Sequence, residues 1–114
     1  MNLKLAMILA LLLAFLAPAY VAADATTRPS NAPTVIISDF AYQPRELTVS
    51  PGTTVTWINR DDVPHTATAE GDSPAFDSKA LDTDDKYSFT FTAPGQYPYY
   101  CKVHPHMKGL IIVK

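Results

Sequence analysis

The sequence predicts an all-β domain, a Greek-key sandwich of two antiparallel sheets, and three observations lead there. From Thr34 onward short runs of alternating apolar and polar residues recur. Pro, Gly, Asn and Asp punctuate them at short intervals, and no stretch carries a helical stripe. Seven or so strands of this kind pack as two sheets around one core.

The strands are expected at Thr34 to Asp39, Glu46 to Ser50, Thr53 to Asn59, His65 to Ala69, Lys86 to Thr92, Gln96 to Cys101 and Leu110 to Val113. Pro51 and Gly52 turn the second into the third, and Pro94 and Gly95 turn the fifth into the sixth. In Lys86 to Thr92, Tyr87, Phe89 and Phe91 alternate with Ser88 and Thr90, so the aromatics face the core. The same parity groups Val55 with Trp57 and Asn59, and Tyr97 with Tyr99 and Cys101. Cys101 therefore points inward. Pro98 interrupts its strand and implies an edge or a bulge. The acidic stretch from Glu70 to Asp85 is the least regular, and a short helical turn is expected in it.

The segment before this domain reads as export machinery. Lys4 precedes thirteen apolar residues, Leu5 to Ala17, then Pro18 and the small residues Val21 and Ala23 before Asp24. That is the layout of a secretory signal spanning 1-23, with an uncleaved anchor as the open alternative. Cleavage leaves no stable membrane insertion. Residues 24-33 have no hydrophobic period and form a flexible lead-in to a domain at 34-114.

Charge limits the partners. The whole chain carries a net charge of -2, and the acids cluster at Asp61, Asp62, Glu70, Asp72, Asp77, Asp82, Asp84 and Asp85. No basic stripe offers itself to phosphates, which argues against nucleic acid, and the acids read first as a solvated face. One cysteine, Cys101, has no partner for an internal disulfide. In an exported protein such a thiol invites a functional reading.

That reading lies in the run Cys101-Lys102-Val103-His104-Pro105-His106-Met107, which sets a thiolate, an imidazole and a thioether at intervals of three. A second imidazole, His65, follows Pro64 far upstream. Two His and one Cys in a plane with a weak axial Met is the ligand set of blue-copper sites. Singly, Cys101 reads as a small core hydrophobe, His65 as a loop residue and Met107 as filler. Together they point to one copper ion held by His65, Cys101, His104 and Met107. Sulfur ligands suit Cu(I) and imidazoles serve both oxidation states, so an electron arrives with little rearrangement.

Residues 34 to 114 resemble the cupredoxins, nearest to the amicyanin type within the plastocyanin and pseudoazurin group. The resemblance rests on Phe40 with Pro44, Val49 through Trp57, Asn59-Arg60 with Pro64-His65, Phe76, and Pro94-Gly95-Gln96-Tyr97 leading to Cys101. The loop spacing fits the subclass: counting from Cys101, two residues precede His104 and two more precede Met107. If His106 were the ligand of a longer loop, the axial position would fall on Ile111, which cannot coordinate copper.

The resemblance implies a periplasmic, monomeric single-electron carrier, with an amine dehydrogenase as donor and a c-type cytochrome as acceptor. It implies that Asn59, six residues before His65, ties the ligand loops together beside the thiolate; read alone, Asn59 is a turn residue ending a strand. It further implies that His104 shows a ring edge in an apolar docking patch, here rimmed by Pro64, Val103, Pro105 and Met107. His106 stands where that loop usually carries a bulky apolar residue, as an exposed imidazole.

Two other functions compete. A copper store, chaperone or sensor would use overlapping residues, but such proteins favour open Met-rich or His-rich sites, and Met107 is the one methionine outside the leader. A copper enzyme needs a second centre, and His106 is the one histidine left over. No G-x-S-x-G nucleophile motif is present either.

Overall fold

The computed structural model describes residues 32–114; the signal segment and most of the expected lead-in lie outside them. Eight strands follow one another: β1 Thr34–Ser38, β2 Ala41–Gln43, β3 Glu46–Val49, β4 Thr53–Asn59, β5 Thr68–Ala69, β6 Lys86–Phe91, β7 Gly95–Tyr100 and β8 Lys108–Val113. They form two four-stranded sheets in the orders β2-β1-β4-β6 and β3-β8-β7-β5. The chain passes between sheets at β2 to β3, β3 to β4, β4 to β5, β5 to β6 and β6 to β7, so strands adjacent in sequence are seldom paired. This is a two-sheet sandwich with crossing connections.

The sheets are mixed, which corrects the expectation of purely antiparallel pairing. β1 runs parallel to β4 and β3 parallel to β8; the remaining pairs are antiparallel. The reason is topological. After β2 the chain leaves its sheet, forms β3 in the other, and returns to lay β4 beside β1 in the same direction. The C-terminal ends of β1 and β4 therefore lie at one end of the sandwich.

The core sits between the sheets. β4 alternates as read, with Val55, Trp57 and Asn59 buried, while Thr54 and Thr56 on its outer face share hydroxyl hydrogen bonds with Thr90 and Ser88 of β6 at 2.7 Å each. Trp57 is the hub: it stacks on Phe76 at 5.3 Å and meets Tyr99 edge-on at 5.5 Å, with Tyr87 and Phe91 beside it. Tyr99 and Cys101 are fully buried, and Val35, Ile37, Ile111 and Val113 complete the filling.

β2 was not legible because its turn lacks the usual signal. Asp39 and Phe40 are the two residues of a hairpin loop, and both have positive φ, 52° and 56°, the type I′ geometry normally announced by Asn-Gly or Asp-Gly. Here an outside group holds the turn: the Asp61 carboxylate accepts the amides of Asp39 at 2.8 Å and Phe40 at 2.9 Å.

The strand expected at His65 to Ala69 shrinks to Thr68–Ala69, because the preceding amides donate elsewhere. His65 donates to the Leu81 carbonyl, Thr66 to the Cys101 sulfur and Ala67 to the Ser78 hydroxyl. The acidic stretch contains no helical turn. Phe76 and Leu81 drop into the core instead, pinned by isolated bridges of Thr68 with Asp77 and His65 with Leu81. Pro98 occupies a local edge: its carbonyl accepts from Glu70, just past the end of β5, so its missing N–H faces the side that β5 has vacated.

Candidate metal centre

Three connections meet at the end where β1 and β4 finish: the β1–β2 turn, the loop from Arg60 to Ala67, and the loop from Cys101 to Met107. The third is closed on itself, since the Cys101 amide donates to the Met107 carbonyl at 3.0 Å and the Met107 amide to the His104 carbonyl at 2.9 Å. These bonds set the spacing of the three residues that the sequence placed at intervals of three.

His65, Cys101 and His104 converge, with one ligating atom from each lying within 4.8 Å of the others. Cys101 Sγ is 3.8 Å from His65 Nδ1 and 3.6 Å from His104 Nδ1, and the two Nδ1 atoms are 3.1 Å apart. Bonds of about 2.0 Å to nitrogen and about 2.3 Å to sulfur, in a trigonal plane, demand N···S separations of about 3.7 Å. The observed distances meet that demand, and the N···N distance only narrows one angle to about 100°. The residues fit a first-row metal ion.

His65 has its tautomer fixed. Its Nε2–H donates to Asp61 Oδ2 at 2.7 Å, which leaves the Nδ1 lone pair aimed at the centre. Burial alone would raise the Asp61 pKa, but hydrogen bonds from Phe40, Asp39 and His65 hold it below the ordinary carboxylate value. The carboxylate is therefore an anion at neutral pH, suited to a ring whose other nitrogen faces a cation.

The Cys101 sulfur is also held. The Thr66 amide donates to Cys101 Sγ at 3.3 Å, and the Thr66 hydroxyl accepts the Lys102 amide at 2.9 Å. Tyr42 donates to the Thr66 carbonyl from the other side; burial first, then the nearby Cys101 and Tyr99, pushes its phenol well above the ordinary value.

A family model described as copper binding proteins, plastocyanin/azurin family, matches residues 31–114. The chain belongs to this family. Amicyanin of Paracoccus denitrificans is 36% identical over 107 residues, covering 81% of each protein. A solved structure of a point variant of amicyanin in its oxidized state superposes with a TM-score of 0.68 at 37% identity, covering 73% of this chain and 82% of that one. A copper-containing nitrite reductase from Thermus scotoductus is 34% identical with a TM-score of 0.66, but the match covers 72% of this chain and only 22% of the reductase.

Copper is the family's metal, and His65, Cys101 and His104 are placed to form a type 1 copper site in this plastocyanin/azurin relative. Two sequence expectations need correction. Asn59 does not reach the thiolate. Its amide donates to the carbonyls of Val63 and Leu81 at 2.9 and 2.8 Å, and its Oδ1 accepts the Asp61 amide at 2.9 Å. Asn59 shapes the His65 loop, whereas the link between loops beside the sulfur is made by Thr66. Met107, expected on the rim of the patch, is only 6% exposed and belongs to the buried core cluster.

Around the half-buried His104, Pro64, Val103, Pro105 and His106 are exposed as expected. Phe40 completes that surface: 54% exposed, it meets the rings of His65 at 5.2 Å and His104 at 5.0 Å, both edge-on. Phe40 and Asp61 are the site residues that the sequence reading missed. Asp61 was hidden among the acids, and the one available signal was its position four residues before His65.

Proposed function

We propose that this protein is a soluble type 1 blue-copper electron carrier of the amicyanin kind. His65, Cys101, His104 and Met107 would hold the copper ion, with Asn59 buttressing the His65 loop. Bound there, copper supplies one-electron redox chemistry. The observation that carries this reading is the convergence of two imidazole nitrogens and a thiolate in a site built from two buttressed loops. A rigid ligand set changes little between oxidation states, which is what rapid electron exchange requires. Four protein ligands leave no position for a substrate, so the protein is a carrier and not an enzyme.

Electrons pass through His104, at the half-exposed edge of the site. Pro64, Val103, Pro105, His106 and Phe40 form a small patch suited to brief encounters with redox proteins. A c-type cytochrome as acceptor and a periplasmic dehydrogenase as donor fit this role. The chain is exported through residues 1-23, leaves 24-33 as a lead-in and works as a monomeric domain over 34-114.

The test is the visible spectrum of the purified domain after addition of Cu(II). An intense blue band that bleaches reversibly on reduction and disappears in Cys101→Ser is the expected result. A colourless complex overturns the carrier reading. Electron self-exchange then separates a carrier from a copper store or chaperone, which would exchange electrons slowly and metal readily.

A further inference from the structure

Asp77 lies in the acidic stretch but is not part of a solvated face. Its side chain is 12% exposed, and both carboxylate oxygens are engaged. Oδ1 accepts from the Thr68 hydroxyl at 3.1 Å and the Lys79 amide at 2.9 Å, while Oδ2 accepts from Lys102 Nζ at 2.6 Å and Lys79 Nζ at 3.2 Å. The Thr68 hydroxyl is in turn 2.9 Å from the Thr66 hydroxyl, and both threonines are buried. Thr66 and Thr68 are two apart in extended chain, so their side chains share a face.

The direction of every proton in this chain is decided by its ends. A carboxylate only accepts, so Thr68 donates to Asp77. A backbone amide only donates, so Thr66 Oγ1 accepts from Lys102. Thr68 has its proton committed, and the bond between the hydroxyls must run from Thr66 to Thr68. The relay therefore reads Lys102 N–H to Thr66, Thr66 to Thr68, Thr68 to Asp77. It closes on itself, because Asp77 also takes the ammonium of Lys102.

Lys102 is thus gripped at its amide and at its side chain, immediately after the thiolate ligand. Thr66, which receives the amide, uses its own N–H on the Cys101 sulfur. We propose that Asp77 is a positioning residue for the copper site, acting through Thr68 and Thr66 to hold the Cys101 thiolate and its N–H···S bond in place. The relay contributes no residue to the His65–Cys101–His104 cluster. Its effect reaches copper through the sulfur, whose electron density a donated hydrogen bond withdraws, favouring the reduced state.

This inference rests on the copper site, so its test includes an arm without copper. Thr68→Val keeps shape and removes the relay's middle hydroxyl, Thr68→Ser restores it, and Asp77→Ala removes its end. In the metal-free protein, Thr68→Val is expected to speed amide hydrogen exchange at Lys102 by roughly tenfold, and Thr68→Ser to leave it near the parent rate. With Cu(II) added, Thr68→Val and Asp77→Ala should both shift the reduction potential downward and move the thiolate-to-copper band, with Thr68→Ser again near the parent. Parent-like exchange at Lys102 in Thr68→Val overturns the proposal, as does a Thr68→Ser variant shifted as far as Thr68→Val. Should Asp77→Ala not fold, the Thr68 pair decides; should copper not bind, the exchange arm decides alone.

Discussion

At the scale of single residues, the site is held through atoms that never bind metal. Asp61 shows this best, because one carboxylate fixes both the β1–β2 turn and the His65 ring. Asp61→Asn retains one acceptor oxygen where three donors converge, so the ring loses its firm tautomer. Copper affinity should fall by about tenfold, as is usual when a carboxylate behind a ligating histidine is removed. Competition against a chelator of known affinity measures this, and an unchanged affinity would show that the ring is held by packing alone. Tyr42→Phe removes the hydrogen bond to the Thr66 carbonyl. It should cost about 1 kcal/mol in urea unfolding, and a neutral result would mean that water replaces the phenol.

At the scale of elements, close packing between β7 and β8 leaves a glycine no freedom to change. A Cβ on Gly109 would collide with the Tyr99 ring, itself immobilised against Trp57 and Tyr42. Gly109→Ala should therefore destabilise by about 1–3 kcal/mol, read as a lower denaturation midpoint; wild-type stability would mean that Tyr99 can move. The acidic stretch makes a pH prediction. Burial would raise the Asp77 pKa, but hydrogen bonds from Lys102, Lys79 and Thr68 overcome it and hold the carboxyl well below the ordinary range. Such a lowered pKa gives stability that is complete above the unfolded value near about 3.9 and is lost as pH falls toward the folded value. Metal-free wild type should thus exceed Asp77→Asn in stability by a constant amount from pH 7 to about pH 5, and the gap should close on further acidification. A gap independent of pH would assign the difference to shape instead of charge.

The whole molecule is small, and its described part is organised around one aromatic hub and one metal centre. Trp57→Ala should cost about 3–5 kcal/mol, a large share of the roughly 5–15 kcal/mol that keeps a domain folded. Copper joins the β4–β5 connection to the β7–β8 loop, so a metal that binds only the folded state raises stability by mass action. Thousandfold saturation would contribute about 4 kcal/mol. Chelation at that saturation should therefore lower the melting temperature of wild type by roughly 16–32 °C, at about 4–8 °C per kcal/mol for a domain of this size. Calorimetry with and without Cu(II) measures it. Equal melting temperatures would mean that the site binds copper too weakly to matter for the fold.

The sequence by itself determined the all-β architecture, the inward faces and the donor types of the metal centre. Those properties are local: period-two alternation decides which way Trp57, Tyr99 and Cys101 point, and spacing of three within a short loop decides that Cys101 and His104 act together. Tertiary structure decided what depends on distant partners. β2 exists because Asp61 stabilises a turn with no glycine, and β5 is short because the amides of residues 65–67 find acceptors outside the sheet. Parallel pairing of β1 with β4 follows from an intervening excursion through the other sheet. For the same reason Asp61 and Asp77 read as two more acids in a solvated run, although one orients a ligand imidazole and the other ends a buried relay. A carboxylate's role is set by the donors folded against it, and those come from residues up to 25 positions away, as with Asp77 and Lys102.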